Sequence, residues 1–305
     1  MHVLLRCAVV GAIALSGCST SSGDPAPLVD TTPGVLPPVD ANRPRGPVVV
    51  GPDLTPADYT CLGAAEPVGV PMPVAVQLRD WVDDHPHVGL DVRAASAGGW
   101  GTSPDCRVIP DCTEAVSDAT GHAMMTLRGG RVWLSTSGGM SVDPTQASVP
   151  TWIVGLTVPD GATSLLVPVL SQGTLSRLSL QASWSTALGR VRDCAGAAVH
   201  RAHVRAFDAL GRELPLSTPA MTGVSYANAA AIVVDDDRTT IDGVFVARFD
   251  LLEVSRIEAW GPRDLGGPEV LLGCETLELG APARASLVDI LPLSAHAPEI
   301  CGSMP

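Results

Sequence analysis

The residues best equipped for chemistry are a few histidines with acidic neighbours. His85-Pro86-His87 follows Asp83 and Asp84, and imidazole beside carboxylate is a donor set that can hold a metal. His200 and His203 form a second pair. Their spacing of three suits one helix face, but the surrounding pattern is that of a strand, which turns the two to opposite faces. His296 and Glu299 show the H-x-x-E spacing of zinc peptidases, with six residues after Glu299 and so no downstream segment to complete a site. Asp235, Asp236 and Asp237, with Asp242, offer hard oxygen ligands suited to calcium. A solvated acidic loop is the plainer reading of them, and the choice stays open. Ser225 in "GVSYA" lacks the second glycine of a nucleophile elbow, and no P-loop or dinucleotide fingerprint occurs. The expectation is no catalytic set, no cofactor and no metal.

The cysteines say more about address than about catalysis. The stretch "CAVVGAIAL", residues 7–15, is apolar and follows Arg6. It is far shorter than the roughly twenty residues of a membrane-spanning helix, so it reads as the core of a signal peptide. It ends at Leu15-Ser16-Gly17-Cys18, which resembles the lipobox of bacterial lipoproteins. That resemblance implies cleavage before Cys18 and a diacylglycerol on its thiol, anchoring the chain to the cell envelope. Ser19 at the next position points to the outer membrane. Residues 18–56 are rich in Pro, Gly, Ser, Thr and Asp and have no sustained period. Such a segment cannot bury enough apolar surface to offset its chain entropy, which predicts a disordered tether. A stray strand at "GPVVVG" is the alternative.

Aromatic residues make up only 4% of the chain against 46% hydrophobic residues overall, so the core must be built of Val, Leu, Ile and Ala. Many prolines and glycines favour short strands joined by turns. The formal net charge is −13 and no lysine is present. This balance excludes nucleic acid as an expected partner and disfavours docking on an anionic lipid surface.

The elements that must position these residues come in two copies. "VQLRDWVDDHPHVGLDVRA" (76–94) parallels "GRVRDCAGAAVHRAHVRA" (189–206), each with Arg-Asp followed by Val-Arg-Ala. "VSDATGHAMMTLRGG" parallels "TTIDGVFVARFDL", each with an Asp and a Gly that open an alternating strand. Val74, Val76 and Leu78 alternate with Ala75, Gln77 and Arg79; Ala123, Met125 and Leu127 do likewise. Trp152, Val154, Leu156 and Val158 form a third face, and Phe245, Ala247 and Phe249 a fourth with Val246 between. Period two predicts one buried and one wet face in each strand. One helix is expected over 171–182, with Leu175 and Leu178 on one side.

"GRVRDCAGAAVHRAHVRAFDALGREL" followed by "TTIDGVFVARFDL" resembles a carboxypeptidase regulatory-like domain. The resemblance implies a transthyretin-like sandwich and no shared catalytic residues. The second copy fits well and the first loosely. The expected fold is therefore all-β: two tandem transthyretin-like or immunoglobulin-like antiparallel β-sandwiches. The boundaries read as a signal peptide at 1–17, a tether at 18–56, a first sandwich at 57–170, a connecting helix at 171–184, a second sandwich at 185–293 and a tail at 294–305.

With Cys7 removed and Cys18 lipidated, six cysteines remain. An even number in an exported chain suggests disulfides. Cys106–Cys112 would close a short hairpin loop, Cys194–Cys274 would staple the second copy, and Cys61–Cys301 would follow by elimination. No C-x-x-C supports zinc instead. The resulting expectation is a lipid-anchored envelope protein that binds or scaffolds a protein or glycan partner. The alternatives are a metal-dependent hydrolase using the His/Asp residues at 83–87, or a purely structural spacer.

Overall fold

A computed structural model describes residues 47–292, except for 63, 65–67, 97–105, 108, 110, 140, 142, 181–184, 209, 218–221, 250–254, 264–266 and 278–284. The first half contributes β1 (Val49–Val50), β2 (Thr55–Pro56), β3 (Pro71–Asp80), β4 (Leu90–Ser96), β5 (Thr113–Val116), β6 (His122–Arg128), β7 (Gly130–Gly138), β8 (Thr151–Val158) and β9 (Ser164–Val169). Helix α1 (Gln172–Arg177) follows. The second half contributes β10 (Ser185–Val191), β11 (Val199–His200), β12 (His203–Phe207), β13 (Gly223–Ala227), β14 (Val233–Val234), β15 (Val244–Phe249), β16 (Ser255–Pro262), β17 (Glu269–Leu277) and β18 (Ala285–Ile290). The fold is all-β, as the patterning indicates. None of the described helices is long and apolar enough to cross a membrane.

Nine strands form one sheet in the order β14-β13-β15-β10-β18-β8-β7-β4-β5. It draws on both copies. The joint is β18, which runs parallel to β10 on one side and to β8 on the other. The helix expected to separate two sandwiches does not divide this sheet. The reason lies in β18 itself. Ala285 and Leu287 pack into one core, while Val288 and Ile290 pack into another, so the strand is apolar on both faces and takes a central position.

A three-stranded sheet β6-β3-β9 and another of order β12-β16-β17 cover the central sheet. Val74, Val76 and Leu78 of β3 and Val167 and Val169 of β9 pack into the first core. Val204, Ile257, Ala259 and Leu272 pack into the second. In β10, Leu188 belongs to the first core and its neighbour Ala187 to the second, so the two cores lie on opposite faces of the shared sheet. This corrects the reading of β15. Phe245, Ala247 and Phe249 fill the second core, but Val246 between them fills the first and is fully buried. The strand has no wet face.

Strand β8 departs from its expected single face as well. Its ladder with β7 shifts register between Val132 and Leu134, beside Gly155 at φ +80°. This bulge reverses the alternation. Val154 joins the second core before it, whereas Leu156 and Val158 join the first core after it.

Hairpin turns repeat one device. Asp118 Oδ1 accepts hydrogen bonds from the N–H groups of Thr120 and His122, while Gly121 N–H donates to the Asp118 carbonyl. Asp193 is bonded in the same way by Ala195, Ala197 and Gly196, and Asp208 by Leu210, Arg212 and Gly211. The fourth residue of each turn has positive φ, which glycine takes at little cost.

Part of the segment expected as tether is structured. Val48 and Val49 are buried, and β1 pairs antiparallel with β11 of the second half. Burial of this valine run supplies apolar stabilisation to the segment. Helix α1 begins where expected, with the Ser171 hydroxyl accepting from the Thr174 N–H. It ends sooner, because Ser179 turns left-handed and the Leu180 N–H closes back on the Leu175 carbonyl. Leu175 and Leu178 are buried as expected.

Candidate functional site

The strongest cluster sits where β3 ends. Asp80 is its last residue, and the following loop returns so that the Asp80 N–H donates to the His85 carbonyl and the His87 N–H to that of Leu78. An isolated bridge between Arg79 and Pro86 completes this return. His85 and His87 are two residues apart in extended chain, and their ring centroids lie 4.7 Å apart. His87 Nε2 is 3.7 Å from Asp80 Oδ2. One ligand-type atom each from Asp80, His85 and His87 lies within 4.8 Å of the others. Among the described residues this is the one such group of three or more His, Cys, Asp or Glu side chains.

Asp80 is buried and richly held. Its Oδ1 accepts from the Val82 and Asp83 N–H groups at 2.9 Å and from the Thr174 hydroxyl at 3.2 Å. Burial alone would raise its pKa, but the His87 ring, the Asp83 N–H, the Ser171 hydroxyl and the Val82 N–H together outweigh it. The carboxyl is held well below the ordinary carboxylate range. Helix α1 covers the site from the other side, with Thr174 on Asp80 and Arg177 paired with Asp83 at 2.8 Å.

Of the carboxylates expected beside the histidine pair, Asp83 and Asp84 are exposed and stand outside the cluster. The member that the sequence analysis missed is Asp80. A signal for it was present. Arg79-Asp80 and Arg192-Asp193 are the matched dipeptides of the two copies, and both aspartates are buried turn caps. Position in the repeat marked structural importance. The five-residue return that aims Asp80 at His87 left no local pattern.

The remaining candidates lie apart. His203 stands 4.0 Å from Glu269, and burial lowers its pKa. His200 lies on β11, where burial likewise lowers its pKa. Asp242 Oδ2 accepts from the Ala229 N–H, so it braces a turn and does not join Asp235, Asp236 and Asp237. Burial and the neighbouring Asp237 raise the Asp236 carboxyl. Ser225 is buried in the middle of β13, opposite Val246 of β15, where no nucleophile could be presented. Cys18, His296, Glu299 and Cys301 lie outside the described residues.

The disulfide pairing differs from the expectation in part. Cys106 bonds to Cys112. Cys194 bonds to Cys61, with Cα atoms 5.8 Å apart, and not to Cys274; Cys61 is therefore not the partner of Cys301. Cys274 is disulfide-bonded as well. Topology explains the change. Cys194 follows β10 of the central sheet, whereas Cys274 lies on β17 of a covering sheet. The backbone at Asp58–Cys61 runs directly beside Cys194, whose N–H donates to the Asp58 carbonyl at 2.9 Å. Asp58 N–H in turn donates to Asp193 Oδ2 at 3.0 Å.

No family model matches the chain, so its resemblance to carboxypeptidase regulatory-like domains rests on the quoted motifs alone. No curated protein matches it either. Among solved structures, shaft pilin SpaA from Lactobacillus rhamnosus GG is 12% identical, with 77% of this chain and 100% of that one covered at a TM-score of 0.24. The Streptococcal ancillary pilin is 10% identical over 73% of this chain and 70% of that one, at 0.22. The Bacillus anthracis TIE protein is 8% identical over 73% of this chain, at 0.23, and this chain spans only 34% of its length. Likenesses this distant carry no argument about activity or partners.

Proposed function

We propose that this chain is a lipid-anchored envelope protein that scaffolds or binds a protein or glycan partner without catalysing a reaction. Cys18 is the proposed anchor and the outer membrane the proposed location. Disulfides support an oxidising compartment outside the cytosol. The observation that carries the scaffold reading is the double staple of the segment that follows the tether. Val49 and Val50 pair with His200 and Val199, and Cys61 bonds to Cys194, 133 positions away. Tension arriving from a lipid anchor would enter the fold through the pairing of β1 with β11 and through a covalent bond to the turn after β10 of the central sheet, as a scaffold requires.

The test is cross-linking in intact cells followed by purification of the native protein. A scaffold yields one reproducible envelope component, and that yield falls in a Cys61→Ala/Cys194→Ala variant that still fractionates with membranes. Recovery of the protein alone under every cross-linker would count against the reading.

A further inference from the structure

We propose that Asp80, His85 and His87 form a binding site for a divalent transition-metal ion of the zinc class. Two imidazoles and one carboxylate are the donor types that favour zinc, copper(II) or nickel over calcium or magnesium. Their ligand atoms already converge within 4.8 Å. The 3.7 Å between His87 Nε2 and Asp80 Oδ2 is too long for a hydrogen bond. It is close to the roughly 3.3 Å that separates two ligands of a tetrahedral zinc bound at about 2.05 Å.

The unpartnered atoms point the same way. His87 is 5% exposed, and its Nε2 has no hydrogen-bond partner; neither ring nitrogen of His85 has one. Buried polar atoms are seldom left so, and a shared cation would satisfy all three side chains at once. The site is also held in shape without the ion. The Asp80 and His87 N–H groups fix the loop to β3, Pro86 restricts the backbone between the histidines, and α1 braces Asp80 through Thr174. Asp80 Oδ1 takes the short backbone hydrogen bonds, while Oδ2 is the oxygen nearest His87. Three protein ligands leave a fourth position for water or a ligand brought by a partner.

The experiment is titration of the untagged mature protein with zinc chloride, read by calorimetry and thermal shift, with X-ray absorption at the bound metal. The expected result is one zinc per chain, a raised melting temperature, and a spectrum containing two imidazole nitrogens. His85→Ala and His87→Gln should each weaken binding at least about tenfold, whereas His203→Ala should leave it unchanged. Should His87→Gln fail to fold, the half-buried His85 variant and the wild-type spectrum decide. Folded wild type that takes up no zinc, a His85→Ala variant that binds as tightly as wild type, or a bound zinc without imidazole would each overturn the proposal.

Discussion

The Cys61–Cys194 bond should carry a large share of the stability, and its loss can be worked from the chain it closes. The two cysteines are 133 positions apart. Loop-closure entropy for that separation corresponds to about 5 kcal/mol at 25 °C, and measured losses of such bridges run at about 2–5 kcal/mol. The bond also locks the segment from Asp58 to Cys61 against the turn after β10. Urea unfolding of Cys61→Ala, Cys194→Ala and the double variant measures the loss. Because both single variants break the same bond, the double variant should be no less stable than either single within about 0.5 kcal/mol. If the two losses instead add, the cysteines belong to two different bridges, and the pairing that joins the amino-terminal segment to the second half is wrong.

Further outcomes follow from the turns and the buried faces. Gly243 has φ +67°, and a Cβ there would lie 2.8 Å from the Val191 carbonyl oxygen and 3.1 Å from the Val199 nitrogen. Gly243→Val should therefore destabilise by about 2–4 kcal/mol, from left-handed backbone strain plus overpacking, read from melting curves. Val246→Thr places a hydroxyl in a closed core and should cost about 1–3 kcal/mol; a neutral result would mean that β15 has a wet face after all. Asp80, with its folded pKa depressed, adds stability that is full above its unfolded value of about 4 and is lost as the pH falls below it. In metal-free protein, Asp80→Asn should flatten the acid limb of the stability–pH curve, and an unchanged limb would show that Asp80 contributes nothing there.

How much of this was legible depends on whether a feature leaves a local trace. Strand β3 was readable because one of its faces is wet, so Val74, Val76 and Leu78 stand out against Gln77 and Arg79. Strands β15 and β18 lie between two cores, and apolar residues on both of their faces erase the period. The shared sheet was invisible for a related reason. Which strands become neighbours is set by burial of both faces of β18 and leaves no motif. The Asp-x-x-Gly turns announce themselves, since the capping carboxylate and the left-handed glycine are the residue types this turn favours. Asn228 to Ala231 makes the same turn with alanine at φ +58°, and there the signal is gone. At the candidate site the paired histidines were evident from spacing. Asp80 was not, because a loop return, and not a spacing, brings it to His87.

Under the proposed function, a lipid on Cys18 holds this sandwich at the envelope. Mass spectrometry of the mature protein from membranes, beside a Cys18→Ser variant, tests it most directly. The expected result is a wild-type chain that begins at Cys18 and carries diacylglycerol on its thiol, and a variant that accumulates as unprocessed precursor. A Cys18→Ser chain that matures normally and fractionates with membranes as wild type does would contradict it.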